Sequence, residues 1–232
     1  MPLFRHIHCT YTDKMDQAVH SSPRKPRARR NDPARTMAEI LQVASVEFAD
    51  KGLAGARIDA IADATRTSKR MIYYYYGSKE GLYLAVLEDA YRRTREIEAG
   101  LHLSDLAPRQ ALEKLVTFTY ERHRENEDFI RLVMSENILR GEYIRQSKDI
   151  KKLNLPVIDA IGELYQRGVA QGVFRAGLDP VEIHGLISAL AFFNVSNRHT
   201  FGAIFQKKAG QGLAHTLAKP QVVDMVLRYV LA

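Results

Sequence analysis

Apolar residues recur at intervals of three and four positions along most of this 232-residue chain, a spacing typical of amphipathic helices. The first predicted helix begins at Asp32-Pro33, where a capping residue precedes a proline, and it ends at Gly52. A second long helix is expected to start near Ser78, whose hydroxyl can cap it. No segment shows convincing alternation of apolar and polar residues, so the pattern predicts an all-α fold.

The C-terminal half continues the helical pattern in three segments: residues 112–123, 129–139 and 157–169. Pro156 is expected near the start of the third. Residues 181–195 are apolar almost all round, so no solvent-facing side can be assigned to this helix. We expect its own chain to cover one side and a second subunit to cover the other, with residues 222–231 adding a helix to the same seam.

Residues 57–80 carry the most informative pattern. Ile58, Ile61 and Ala62 would form the buried side of a helix of two turns. Met71 and Ile72 can pack a second short helix against it across a brief turn. This spacing is typical of a helix-turn-helix, and it leaves the second helix exposed.

Hydroxyl, ammonium and guanidinium donors gather at the start and on the outer face of that second helix: Ser68, Lys69, Arg70, Tyr73 and Tyr74. A recognition helix meets base edges and phosphates with such groups, and Arg70 can read a guanine through two hydrogen bonds. Of the four successive tyrosines at 73–76, two are expected to fill the interior and two to direct phenol hydroxyls toward phosphates. An ordinary helical hairpin with a basic surface is the alternative.

Composition and charge fit a DNA partner. The chain has 46% hydrophobic residues, enough for a substantial core, and a formal net charge of +7, which favours a polyanion. No stretch is long and apolar enough for a membrane span or a signal peptide, which predicts a cytoplasmic protein with no membrane partner. The single cysteine, Cys9, leaves no disulfide framework or cysteine-rich zinc site, and no metal or cofactor is expected.

Residues 1–30 show no sustained period and end in a run of Arg, Lys and Pro. We interpret them as a flexible basic arm that can reach DNA phosphates or a minor groove. A solvated tail, or a start codon placed too far upstream, explains the same composition.

The segment resembles the TetR family of transcriptional regulators. The residues that carry the resemblance are Ile61-Ala62, Ser68, Tyr73, Tyr75, Tyr76 and Ser78-Lys79-Glu80, in the family's order and spacing. The resemblance implies a helix-turn-helix domain at residues 31–77 and a helical ligand-binding and dimerisation domain at 78–232. It also implies that residues 67–74 enter the major groove and that Tyr73 and Lys79 hold phosphates.

The chain departs from the family pattern at the turn. Thr65-Arg66-Thr67 replaces the usual Ala-Gly-Val, and Arg57 stands where a capping Thr is common. Arg66 would have to take a positive φ, at a cost of about 1 kcal/mol. Arg57 and Arg66 would add charge beside DNA. The side chains predicted to contact DNA are Arg57, Thr67, Ser68, Lys69, Arg70, Tyr73, Tyr74 and Lys79.

The C-terminal domain resembles the family in architecture alone. Side chains that could orient a small molecule are His123, Asn137, Tyr165, His184, Phe193, Asn194, Asn197 and Arg198, followed by His199. Each one singly is also explained as a hydrogen-bonded core residue or an interface contact. If the aromatic and cationic groups face one cavity, a planar aromatic or heteroaromatic acid would suit it.

The function implied is a homodimeric repressor that binds an operator in double-stranded DNA and is released by a small-molecule effector through a population shift. An activator, or a regulator that answers to a protein partner, would carry the same helix-turn-helix. An enzyme is disfavoured, because the sequence lacks metalloprotease, phosphate-loop and serine-hydrolase motifs.

Overall fold

The computed structural model describes residues 32–205 and 217–232. The predicted basic arm at residues 1–30, and Cys9 within it, lie outside the described residues. Within the described ranges the chain is all-α, as predicted, apart from one isolated antiparallel bridge between Phe174 and Leu231.

The described residues form α1 (Pro33–Gly55), α2 (Ile58–Thr65), α3 (Lys69–Tyr76), α4 (Lys79–Ala99), α5 (Pro108–Glu125), α6 (Glu127–Ile138), α7 (Lys148–Ala170), α8 (Pro180–Ser196), α9 (Arg198–Phe205) and α10 (Lys219–Val230). Short 3₁₀ turns lie between α4 and α5 and between α6 and α7.

Local capping sets several of these boundaries. The Ser78 hydroxyl accepts a hydrogen bond from the Gly81 amide at 3.0 Å and begins α4. Asp179 accepts from the Val181 amide at 2.7 Å and begins α8. Gly52 takes φ 65°, so α1 kinks there and continues to Gly55. The starts predicted at Asp32-Pro33 and near Ser78 are confirmed, and the predicted end of α1 at Gly52 is a kink.

The start of the helix around Pro156 was predicted wrongly. α7 begins at Lys148, where the Ser147 hydroxyl accepts from the Ile150 amide at 3.1 Å, and Pro156 lies inside the helix. The prediction placed the start near Pro156 because a proline lacks an amide donor and is favoured in the first turn of a helix. The polar residues before Pro156 also obscure the amphipathic pattern of the first part of α7. The Ser147 cap was the signal that marks the true start.

Two large apolar clusters form the core. The first is shared by α1, α2, α3 and α4, with Ile40, Ile61 and Ile72 fully buried. It also includes Leu132 of α6 and Ile150 of α7. The second is built by α5, α7, α8 and α10. Because α6 and α7 contribute to the first cluster, the helices before residue 78 share their core with the rest of the chain. The domain boundary between 77 and 78 therefore stays a prediction.

The apolar helix α8 buries one side against its own chain, through Ile183, Ile187 and Ala191. Its other side is open: Val181 is 57% exposed and Phe193 is 38% exposed. Among the described helices, none combines the length and the apolar character that crossing a membrane demands.

Candidate nucleic-acid interface and interior cavities

The turn between α2 and α3 is closed by Arg66. This residue takes φ 52° and ψ 33°, and its amide donates to the Asp63 carbonyl at 3.2 Å. The next amide, of Thr67, donates to the Ala62 carbonyl at 3.0 Å. The predicted positive φ at Arg66 is thus confirmed, and two main-chain hydrogen bonds offset part of its strain.

The start of α2 is held without a side-chain cap. Arg57 occupies the capping position, and its amide donates to the Glu47 carboxylate of α1 at 3.0 Å. A hydrogen bond from Lys51 and the Arg57 amide keep the pKa of Glu47 below its ordinary value. Glu47 of α1 therefore fixes the start of α2 through the Arg57 amide, a role that the sequence pattern did not indicate.

Two of the four tyrosines of α3 are exposed and two pack against the core, as expected. Tyr73 is 43% exposed and Tyr74 is 78% exposed, whereas Tyr75 and Tyr76 pack against the first core cluster. The Tyr76 hydroxyl donates to the Met37 carbonyl of α1 at 3.0 Å, and burial raises the pKa of Tyr76 to about 12. The inner pair anchors α3, and the outer pair faces away from the core.

The polar side chains at the start of α3 differ in whether a contact within the protein already holds them. Ser68 caps the helix by accepting from the Met71 amide at 3.3 Å. Lys69 forms an ion pair with Asp59 of α2. Arg70 is exposed, and among the described residues no ion pair or side-chain hydrogen bond holds it. Arg70 can thus extend outward without breaking an existing contact, whereas Lys69 would have to leave its ion pair with Asp59.

Lys79 lies at the start of α4, where its ammonium donates to the Ala54 carbonyl at 3.2 Å. This hydrogen bond joins α4 to the end of α1 and leaves other donors of the ammonium available. Lys79 therefore has a positioning role that the resemblance did not imply.

Gly81 is a further residue that sequence reasoning missed. A Cβ at this position would lie 2.1 Å from the Tyr76 carbonyl oxygen at the end of α3. The backbones of α3 and α4 approach so closely that only glycine fits. A glycine in the first turn of a helix was the available signal.

The eight predicted ligand residues do not share one cavity. His123 and His184 line a small cavity of about 30 Å³ between α4, α5 and α8. Tyr165 instead donates to the Arg175 carbonyl at 2.8 Å and accepts from the Leu178 amide at 2.9 Å. These contacts use the Tyr165 hydroxyl to hold the loop after α7.

Asn194 is buried, donates to the Leu190 carbonyl at 2.8 Å and accepts from the Leu217 amide at 2.8 Å. Asn137 is exposed and donates to the Val133 carbonyl at 3.0 Å. Both amides bond a carbonyl four residues earlier in their own helix. Asparagine on an apolar helix face is therefore satisfied locally here.

The remaining candidates lie toward α9. Phe193 meets Phe201 edge to face at 5.9 Å, and Asn197 donates to the Ser196 hydroxyl at 2.8 Å. Arg198 forms an ion pair with Glu127 of α6. None of these side chains lines the small cavity or the larger one described next.

A cavity of about 390 Å³ lies between α4, α5 and α7. Its apolar wall includes Leu115, Val157, Ile161 and Leu164, and its polar wall consists of Arg95, Glu98, His102, Ser104, Glu163 and Arg167. A volume of this size suits a small molecule. Arg95 and Glu98 line both this cavity and the small one, so the two adjoin.

The wall that the two cavities share is charged. Arg95 and Glu98 form an ion pair with side chains only 16% and 12% exposed. Burial raises the pKa of Glu98, although Arg95 opposes the change. Burial, with Arg95 and Arg122 nearby, lowers the pKa of His123 to about 4. Sequence reasoning missed the two arginines and Glu98, because charges on an amphipathic helix normally face solvent.

Comparison with known proteins decides the family. Residues 40–86 match the family of bacterial regulatory proteins named tetR, and residues 108–226 match the tetracyclin repressor-like C-terminal domain. The chain belongs to the TetR family. It is therefore a helix-turn-helix transcriptional regulator, as the motif at residues 57–80 indicated.

Individual relatives agree with this assignment. The HTH-type transcriptional repressor NicS of Pseudomonas putida is 33% identical over 180 residues, which cover 78% of this chain and 85% of NicS. The HTH-type transcriptional repressor SCO4008 of Streptomyces coelicolor is 53% identical over 57 residues, or 25% of this chain and 30% of that protein. The fold is shared with the crystal structure of the putative transcriptional regulator SCO4942, also from S. coelicolor, which superposes with a TM-score of 0.62 at 24% identity, covering 84% of this chain and 98% of that one.

In this TetR-family regulator, α4 connects the helix-turn-helix to the cavities. Lys79 at its start contacts α1, and Arg95 and Glu98 near its end line both cavities. At a rise of 1.5 Å per residue, Lys79 and Arg95 are about 24 Å apart along the helix. α4 therefore spans the distance between the helix-turn-helix and the two cavities.

Proposed function

We propose that this TetR-family regulator is a homodimeric repressor, acting in the cytoplasm where bacterial DNA lies, that a small molecule releases from its operator. The observation that carries the proposal is the course of α4, whose two ends contact the DNA-binding helices and the interior cavities. The names of NicS and SCO4008, both repressors, support the direction of control.

For DNA binding, we assign base reading to Arg70 and phosphate contacts to Tyr73 and Lys79. Arg70 is exposed and unpaired within the described structure, as a side chain that reaches a groove must be. Tyr73 presents its hydroxyl outside the core, and Lys79 keeps spare donors. Arg57, Thr67, Ser68, Lys69 and Tyr74 would border the same surface.

For dimerisation, we assign the open faces of α8 and α10. On α8, residues 181, 185, 189 and 193 recur every four positions and are all exposed. Two of them are Val181 and Phe193, and the two between are Gly185 and Ala189, whose small size permits close helix approach. Met225 and Tyr229 extend the apolar surface on α10. A second copy of the chain would bury this surface and place the two α3 helices on one duplex.

For release, we propose that the effector fills the larger cavity and favours a conformation in which the two recognition helices no longer match successive major grooves, about 34 Å apart. The cavity volume of about 390 Å³ and the guanidinium groups on its wall support a small aromatic or heteroaromatic acid. Ligand and DNA would then oppose each other by linkage.

Selection of bound fragments from the source genome, followed by a reporter driven by an enriched promoter, tests this function. We expect enrichment of a site with two half-sites about one helical turn apart, and lower reporter output when the protein is expressed. Higher output would make the protein an activator. A substitution matched in charge, Arg109→Gln on the exposed start of α5, should behave as the wild type, whereas Arg70→Gln should lose repression.

A further inference from the structure

Three buried nitrogen atoms around the small cavity have no hydrogen-bond partner among the described residues. They are Arg95 Nε, Arg122 Nε and His123 Nδ1. The side chains come from α4 and α5, and all three line the same small cavity. Buried polar nitrogens are normally satisfied, so three unpartnered ones on side chains that line one cavity mark a place for an acceptor.

The charges around this cavity do not cancel. Arg95 is paired with Glu98, while no ion pair is found for Arg122 in the described part of the chain. His123 and His184 remain neutral near pH 7, since burial lowers the pKa of both. Two cations and one carboxylate leave a net charge of +1, which one singly charged anion would neutralise.

The dimensions define the shape of that anion. The small cavity, of about 30 Å³, has room for only a few atoms, such as the two oxygens of a carboxylate. The adjoining cavity of about 390 Å³ presents Leu115, Val157 and Ile161, which suit an apolar body. A molecule with one charged end and an apolar remainder fits the two together.

We propose that the effector is a monocarboxylate whose carboxylate group enters the small cavity and whose apolar body fills the larger one. The carboxylate accepts hydrogen bonds from the guanidinium groups of Arg95 and Arg122, and from His123 Nδ1 in the tautomer that carries a proton there. This inference rests on the small-molecule control proposed above, and it names the class of molecule and the residues that bind it.

Binding of three acids and of their matched neutral amides to the full chain, without DNA, tests the proposal. The pairs are benzoate and benzamide, phenylacetate and phenylacetamide, and hexanoate and hexanamide. We expect at least one acid at 10 mM to raise the melting temperature by roughly 2 °C or more, and its amide to leave it unchanged. Arg122→Gln should weaken that acid about tenfold in calorimetry. Arg124→Gln, with the same charge loss on an exposed position of α5, should leave the affinity unchanged.

The proposal is overturned if no acid stabilises the protein, if an amide binds as well as its acid, or if Arg122→Gln binds like the wild type. The comparison of acid with amide uses the wild-type chain, so it stands even where a variant fails to fold. An acid that binds through Arg122 and yet leaves DNA binding unchanged would support the site and count against release as the function.

Discussion

The Arg131 guanidinium on α6 donates to the main-chain carbonyls of Ala49, at 2.7 Å, and Asp50, at 3.0 Å, near the kink of α1. This contact ties the first helix of the DNA-binding unit to a helix beyond the predicted boundary at residues 77 and 78. α6 is therefore bonded to α1 directly, in addition to the connection through α4.

Replacing Arg131 should loosen this junction. Arg131→Met removes both carbonyl hydrogen bonds and the ion pair with the Asp50 carboxylate at 3.4 Å, and it keeps most of the apolar stem, so we expect the free energy of unfolding to fall by roughly 1–3 kcal/mol. Urea denaturation monitored by circular dichroism measures the change. Arg109→Met, at an exposed position, is the control, and an equal loss in both variants would show that the contacts of Arg131 with α1 contribute nothing.

Three substitutions on the recognition surface should separate base reading from phosphate binding. Arg70→Ala should cost about 1–3 kcal/mol at one base pair and relax the preference there. Tyr73→Phe and Lys79→Ala should weaken binding to all sequences alike. Titration of a set of single-base operator variants distinguishes the two patterns. A uniform loss for Arg70→Ala would argue against its role as a base reader.

The close approach at Gly81 predicts a strong effect of one added methyl group. Gly81→Ala places a Cβ 2.1 Å from the Tyr76 carbonyl oxygen, so α3 must move relative to α4. We expect operator affinity to fall at least about tenfold and stability by roughly 1–3 kcal/mol. Gly162→Ala on α7, where the nearest atom would be 3.6 Å away, should keep wild-type affinity. Unchanged binding by Gly81→Ala would mean that α3 tolerates the shift.

Stability should depend on pH through His123. Burial, Arg95, Arg122 and His184 together lower its pKa from 6.5 to about 4, so the unfolded chain takes up a proton first as the pH falls. The contribution is present above pH 6.5 and is lost progressively down to about pH 4, by at most roughly 3 kcal/mol. Chemical denaturation at pH 7.5, 6 and 5 measures it. His123→Gln should flatten this slope, and a slope equal to that of the wild type would refute the assignment.

The open face of α8 predicts a variant that separates the subunits. Ala189→Arg puts a long charged side chain between Val181 and Phe193 on the proposed seam, and burying it there is costly. We expect sedimentation equilibrium to report a dimer for the wild type and a monomer for the variant. Ala170→Arg, at the exposed end of α7, should stay dimeric. A dimeric Ala189→Arg would place the interface elsewhere.

Sequence reasoning succeeded where structure depends on neighbours along the chain. The two short helices and the division of the four tyrosines follow from the spacing of apolar residues. The positive φ of Arg66 follows from the resemblance, since the family usually has glycine at that position. It failed where the outcome depends on distant packing. Asn194 is satisfied by its own helix and by Leu217, so its burial creates no binding group, whereas Arg95 and Arg122 turn inward to meet a cavity that only the assembled helices form.

The central claim is sequence-specific DNA binding through α3, and a mobility shift with competitor tests it most directly. The protein and Arg70→Ala are each titrated onto the genomically selected site, with and without an excess of random duplex, at two salt concentrations. We predict a wild-type complex that resists the competitor and an Arg70→Ala complex that does not. Loss of the wild-type complex to random DNA, or equal binding by both proteins, would contradict the account.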